Sequence, residues 1–526
     1  METIKVVETI LGLLAAVAAL ALLARRLRVP YPILLVIGGL VLALIPGLPH
    51  VRLDPELVFL FFLPPLLYPA ALFTSWRDFR AEIGSITLLA FGLVLFTTVV
   101  IAWIAHLLTG MPLAAGFVLG AIVSPPDAVA ATAIAQRLRL PRRIVTILEG
   151  ESLVNDATAL VALRFAVAAV LSGSFSLAGA SVRFIVAGVG GVLFGFLVGW
   201  IVGRIHARLD DPPVQVTISL LTPFAAYLPA DRLGLSGVLA VVTTGLYLGW
   251  RAPEIVSARM RLQSFPVWEM LVFLLNGLVF VLIGLQLPEV IANLADHSVW
   301  QLSWYAVLIS IAVIVVRMLW VYSAILLRRS FCRCPQDAHP NWRAVTIVGW
   351  TGMRGVVSLA AAMALPVALP NGSPFPGRDL ILFLTFSVIL ATLVLQGLSL
   401  PAIIRWLDVR DEGEAEKEER EARLKANEAA LARLQELTES TEQGSLTRLR
   451  DEYEDRIRQL KILGPEEAPL KSDHRKNGYD SLLRETLIVE RRTILQLRNE
   501  RVINDDVLRR IQRDLDFAEA RMTKPD

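Results

Sequence analysis

Thirteen long apolar stretches constrain this chain more than any other feature. They run near residues 6–24, 30–47, 56–74, 82–108, 112–136, 144–172, 181–205, 214–230, 235–250, 265–287, 302–327, 343–367 and 379–404. A helix needs about 20 predominantly apolar residues to cross bilayer hydrocarbon, so each stretch reads as a membrane span. Composition agrees: 55% of the 526 residues are hydrophobic and 19% are charged. With a mean hydropathy of +0.58 the chain is too apolar for an ordinary soluble protein. The expectation is an all-α polytopic membrane protein.

The charges divide the chain. Residues 408–526 carry 24 basic and 29 acidic side chains, whereas the preceding 407 carry 27 and 19. This reads as a spanning domain over 1–407 and a charged tail over 408–526. Loops after the odd-numbered stretches, up to the eleventh, hold 18 lysines and arginines, in runs such as "RRLR", "QRLRLPRR" and "RRSFCRCPQDAHPNWR". The opposite side holds five, Lys5, Arg52, Arg183, Arg232 and Arg378. The positive-inside rule then places the N-terminus outside and the tail in the cytoplasm of a cell-membrane protein. "METIKVVE" lacks the basic start of a signal peptide, so the first stretch reads as a retained span. Two cysteines, Cys332 and Cys334, share one polar loop and read as plain thiols; they exclude a disulfide framework.

Ionisable groups at membrane depth are costly and usually functional. Four spans carry them. The fifth contains "GAIVSPPDAVAATAI", with Asp127 near mid-depth. Pro125 and Pro126 lack N–H groups and clash with the preceding turn, so the helix should open around Ser124 to Asp127. Open backbone at that depth is tolerated only where it lines a cavity or is buried in protein; the plainer reading is a proline kink. The sixth contains "LEGESLVNDATALVALRF". Ser152 and Asp156 share one helical face, and Glu151 and Asn155 the adjacent one. Glu149 lies nearer the cytoplasmic end. The twelfth begins "WRAVTIVGWTGMRGVVSLAAAMALP", where Gly349, Gly352 and Gly355 surround Arg354 and weaken the helix. The eleventh carries Arg317, whose nearest unclaimed carboxylate is Glu151. Asp127, Glu151 and Asp156 against Arg317 and Arg354 leave a net charge of −1, which one proton or one monovalent cation neutralises. Oxygen ligands from Asp156, Asp127, Ser152 and freed carbonyls suit a hard cation. Two interrupted helices beside a midplane site fit the inverted-repeat transporter plan, although no internal sequence repeat supports it independently.

At these residues the chain closely resembles the monovalent cation/proton antiporter-1 family, the sodium/proton exchangers. "FFLPPLLYPAAL", "SPPDAVA", "LEGESLVNDATALV", "SGVLAVVTTGLYLG", "FLLNGLVFVLIGLQL" and "GWTGMRGVVSLA" match its signatures in order, over essentially the whole membrane part. The resemblance implies a homodimer of thirteen-helix protomers with inverted repeats and two unwound crossing helices. Each protomer has a dimerisation domain and a mobile core that moves like an elevator. It implies that Asp156, after Asn155, carries the cation or the proton, that Asp127 and Ser152 assist, and that Glu151 pairs with Arg317, with Arg354 as the family's second intramembrane arginine. Asn before Asp implies electroneutral exchange. One departure stands out: Pro126 replaces a threonine found in several relatives, leaving Ser124 or a carbonyl to supply that ligand. The expected function is Na⁺(Li⁺)/H⁺ antiport in pH and sodium homeostasis, with K⁺/H⁺ antiport as the alternative. No cofactor, enzymatic activity or nucleic-acid partner is expected. A channel lacks its carbonyl filter loop here, and a primary pump its phosphate loop; a membrane sensor would not need carboxylates at mid-depth.

The tail begins "DEGEAEKEEREARLKANEAALARLQEL", where Leu424, Leu431, Leu434 and Leu437 form a narrow apolar stripe. Further helices are expected over 445–462 and 480–499, and a last one capped by Asn504 or Asp505. The tail reads either as a helical bundle that aids assembly or as a regulatory module sensing pH or a partner.

Overall fold

The computed structural model describes residues 2–27, 30–44, 60–127, 131–132, 134–135, 138, 140–172, 177–292, 294, 298–331, 342–369, 372–409, 413–437, 443–462 and 477–522. Cys332 and Cys334 lie outside them. Among these residues there is no strand, only an isolated bridge between Ala368 and Pro374. The helices of the body are α1 (Glu2–Leu27), α2 (Tyr31–Ala43), α3 (Leu63–Leu72), the short α4 (Trp76–Ala81) and α5 (Ile83–Thr109). They continue with α6 (Leu113–Val123), α7 (Arg142–Ser172), α8 (Leu177–His206), α9 (Pro212–Arg232), α10 (Gly237–Ile255) and α11 (Ala258–Ala292). The body closes with α12 (Val299–Phe331), α13 (Trp342–Trp350), α14 (Val356–Met363) and α15 (Arg378–Leu407).

Each apolar stretch of the sequence coincides with one of these helices or with a broken pair. Six are long and apolar enough to cross a membrane: α5, α7, residues Val182–His206 of α8, Ala258–Gln286 of α11, Val299–Ala324 of α12, and α15. α2, α3 and α6 are shorter apolar helices. This is a multi-pass membrane protein. Its helices associate in two groups. α1, α2, α3 and α8 to α11 pack mainly on one another, as do α5, α6, α7 and α12 to α15. Small residues let the first group close tightly: a Cβ at Gly39 would lie 2.2 Å from the carbonyl oxygen of Val281, and one at Gly284 2.1 Å from that of Val36. Close backbone approach at small residues is the ordinary route to helix association in lipid.

The tail forms its own four-helix core from α16 (Glu414–Glu436), α17 (Gln443–Ile462), α18 (Asn477–Asn499) and α19 (Asp505–Met522). Asn504 caps α19, its Oδ1 accepting from Val507 N at 2.8 Å. The inner stripe of α16 differs from the expected leucines. Ala422, Ala426, Ala430 and Leu434 are buried, whereas Leu424, Leu431 and Leu437 are only partly so. Four-residue spacing of alanines permits closer helix approach than leucine would. Hydrophobicity alone points to the larger side chains.

Candidate cation and proton site

Both interrupted helices open where the sequence places the breaks. α6 ends at Val123, and Ser124 to Asp127 are not helical. α13 ends at Trp350, and α14 resumes at Val356 after an open segment. The two breaks satisfy each other's freed backbone groups. Asp127 N donates to the carbonyl of Met353 at 2.7 Å. The Pro126 carbonyl accepts from Asn155 Nδ2 at 2.8 Å. Arg354 N donates to Thr392 Oγ1 at 3.1 Å. Thus Asn155 fastens α7 to the first break, and α15 fastens the second. Gly355 is needed for a close approach: a Cβ there would lie 1.7 Å from Asp127 Oδ2. The carboxylate of Asp127 therefore sits against the N-terminus of α14, where helix dipole and free N–H groups favour negative charge.

The two faces of α7 separate as the spacing predicts. Ser152 and Asp156 line a cavity of about 1250 Å³, together with Asp127, Glu149, Asn276 and Ser358. Asp156 is 6% exposed. On the adjacent face Glu151 is 1% exposed and meets Arg317, also 1% exposed, through two hydrogen bonds of 2.5 and 2.8 Å. Arg317 Nη2 also donates to the Val348 carbonyl at 3.0 Å. Room for the guanidinium depends on Gly352, whose Cβ would lie 2.4 Å from Arg317 Cδ. Further out on α7, Arg164 pairs with Asp231.

Two expected residues occupy different positions. Arg354 takes no part in the ion pair: it is fully buried, and among the described residues its guanidinium has no hydrogen-bond partner. Glu151 already spends both oxygens on Arg317 in a bidentate geometry. Ser124 is fully buried, donates to the Ala121 carbonyl at 2.9 Å, and lies outside the cavity lining. Residue-by-residue reading also missed Asn276 and Ser358, both buried and both on the cavity wall. The signal for Asn276 was its amide within the apolar run "FLLNGLVFVLIG".

Two broken helices crossing beside buried carboxylates inside a polytopic bundle define a secondary transporter of small ions. The comparisons specify which. The family described as "Sodium/hydrogen exchanger, transmembrane" matches residues 12–406. An uncharacterized Na(+)/H(+) exchanger of Mycobacterium tuberculosis is 37% identical over 524 residues, covering 98% of this chain and 96% of its own. The "Sodium, potassium, lithium and rubidium/H(+) antiporter" of Bacillus subtilis is 37% identical over 390 residues, 71% of this chain and 58% of its own. The fold is that of the sodium proton antiporter MjNhaP1 from Methanocaldococcus jannaschii. That structure is 21% identical, with a TM-score of 0.61 over 77% of this chain and 99% of that one. The chain belongs to the sodium/hydrogen exchanger family, and it is a cation/proton antiporter, not an enzyme.

Proposed function

We propose that the protein exchanges one Na⁺ or Li⁺ for one proton, with Asp156 holding either but not both. The observation that carries this reading is the charge inventory. Glu151 and Arg317 neutralise each other, which leaves Asp127, Asp156 and the buried Arg354, a net −1. One bound cation or one proton restores neutrality, so an empty carrier is disfavoured in low dielectric and the two occupied states are favoured. Asp127, Ser152 and carbonyls at the break supply further hard oxygen ligands. The protein is a homodimer of the cell membrane, with the tail in the cytoplasm. Access alternates as the group containing α6, α7 and α14 moves against the other. These residues are the site residues of the proposal, and Glu151 with Arg317 its structural ion pair. A broader selectivity that includes K⁺ is the second reading. It is favoured by the potassium named among the ions of the Bacillus subtilis relative and by Pro126, which offers no hydroxyl.

The test is proton flux in proteoliposomes carrying an internal pH dye, on addition of Na⁺, Li⁺, K⁺ or choline, with and without a voltage clamp. Alkalinisation by Na⁺ and Li⁺ that ignores the clamp is the expected result. Voltage-dependent flux would overturn the one-for-one exchange. An equal response to K⁺ would establish the second reading.

A further inference from the structure

The approach to Asp156 from the tail side differs in charge from the approach on the other side. Arg142, Glu149, Ser152 and Asp156 of α7 all line the cavity. Arg142 marks the tail-side end, 3.7 Å from Glu418 of α16. Glu149 follows about two turns later and Asp156 about two turns later again. The two carboxylate residues therefore stand about 10 Å apart along one helix face, with Ser152 between them. Glu149 is half-buried. Unlike Glu151 it is held by no arginine: among the described residues no hydrogen bond or ion pair fixes its carboxylate. The charges that reach it, Asp506 and Arg509 of α19, pair with each other. Other ions at that mouth are paired as well, Arg261 with Asp516 and Arg498 with Asp505. Fields of paired ions largely cancel, and that of Glu149 does not. The exposed Glu269 of α11 adds a second carboxylate to the cavity wall. Beyond Asp156 the same face of α7 becomes apolar. One and two turns on stand Ala159, Leu160 and Leu163, with Leu163 buried in an apolar cluster with residues of α6 and α15. The next charge along α7, Arg164, is positive and paired with Asp231.

We infer that Glu149 is a one-sided loading residue: it receives a cation entering from the tail side and hands it on to Asp156, so the carrier loads more readily from that side than from the other. Leu67, Phe73 and Phe265 give the cavity apolar walls. An unpaired carboxylate in such a cleft focuses its field into the cleft and raises the local cation concentration. Ser152 offers a hard oxygen between the two carboxylates for a partly dehydrated ion. Because Glu149 and Asp156 share one helix, they keep their spacing when α7 moves. When the carrier opens the other way, Glu149 stays on the closed side and adds nothing to loading there; the entering ion meets Ala159, Leu160 and Leu163 instead. An exchanger built this way takes up its cation at low concentration from the tail side and lets it go readily on the other. The inference rests on the antiport and alternating-access reading above.

The experiment uses the full chain, reconstituted at a high lipid-to-protein ratio so that each vesicle holds one orientation. Vesicles captured through a C-terminal affinity tag carry the tail outward, and those that escape capture carry it inward. Na⁺ added outside then reports the half-maximal concentration for proton flux at each face. In the wild type the tail-face value should be lower by about tenfold, the lower end of the concentrating effect of a charged cleft. Glu149→Gln should raise the tail-face value by about that factor and leave the other face and the maximal rate unchanged. Glu149→Asp, which keeps the charge, should stay close to the wild type. Equal values at the two faces of the wild type would overturn the inference without recourse to any variant. So would a Glu149→Gln protein with an unchanged tail-face value, or one altered equally at both faces, which a merely structural role would produce. Each of these results leaves antiport intact. No cation-driven flux in the wild type at either face would overturn the antiport reading itself, and the loading role with it.

Discussion

At the residue scale the site works by charge placement, and substitutions there should separate function from stability. Asp156→Asn keeps shape and removes the ionisable oxygen. The expectation is loss of cation-driven flux with an unchanged gel-filtration profile. Arg317→Ala does the opposite. It strands Glu151 in the interior, and breaking a buried pair from one side costs about 3–5 kcal/mol. A sharply lower melting temperature in detergent and a poor yield are expected, and a normally stable protein would refute the pairing. Gly355→Ala tests the contact that sequence reading missed. Its methyl group must displace the Asp127 carboxylate, so the cation concentration giving half-maximal flux should rise about tenfold, equivalent to about 1.4 kcal/mol. An unchanged value would remove Asp127 from the binding set. Carboxylates and arginines in apolar helices were legible because nothing else explains their cost there. The glycine's purpose was not, since the atom it makes room for comes from an open segment more than 200 residues earlier in the chain.

Elements were legible where their signals are local. Prolines at 125 and 126 and glycines at 352 and 355 announced the two breaks, and the tail helices began and ended close to their caps. What joins the elements was less visible. Asn155 reads as a neighbour of the carrier, yet its amide holds the open Pro126 carbonyl across the bundle. Replacing it with alanine leaves a buried acceptor unmade, a loss of about 1–3 kcal/mol. Asn155→Ala should therefore lower thermal stability as well as exchange. The α16 stripe shows the same limit in the tail. Leucines carry the hydrophobic signal, but alanines occupy the contact because the neighbouring helix comes close. Ala426→Leu should destabilise the tail by about 1–3 kcal/mol through overpacking, read as earlier proteolysis of the tail in intact protein. Leu424→Ala, at a half-buried position, should cost much less.

At the scale of the whole molecule the last tail helix, α19, meets both helix groups of the body, Asp516 through Arg261 of α11 and Asp506 through Arg142 of α7. Sequence by itself determined the helical membrane body, the two broken helices, the carboxylates and arginines at depth, and a separate charged tail. Hydrocarbon admits only apolar helices, so every exception is conspicuous along a single strand of text. Only the tertiary structure decided that Arg354 stays outside the Glu151–Arg317 pair, that one break bonds to the other through Asp127 and Met353, and that α19 borders the cavity that Asp156 lines. Those choices depend on how each helix is rotated and where it crosses its neighbours. That is set by close packing between residues far apart in the chain, which no local pattern records.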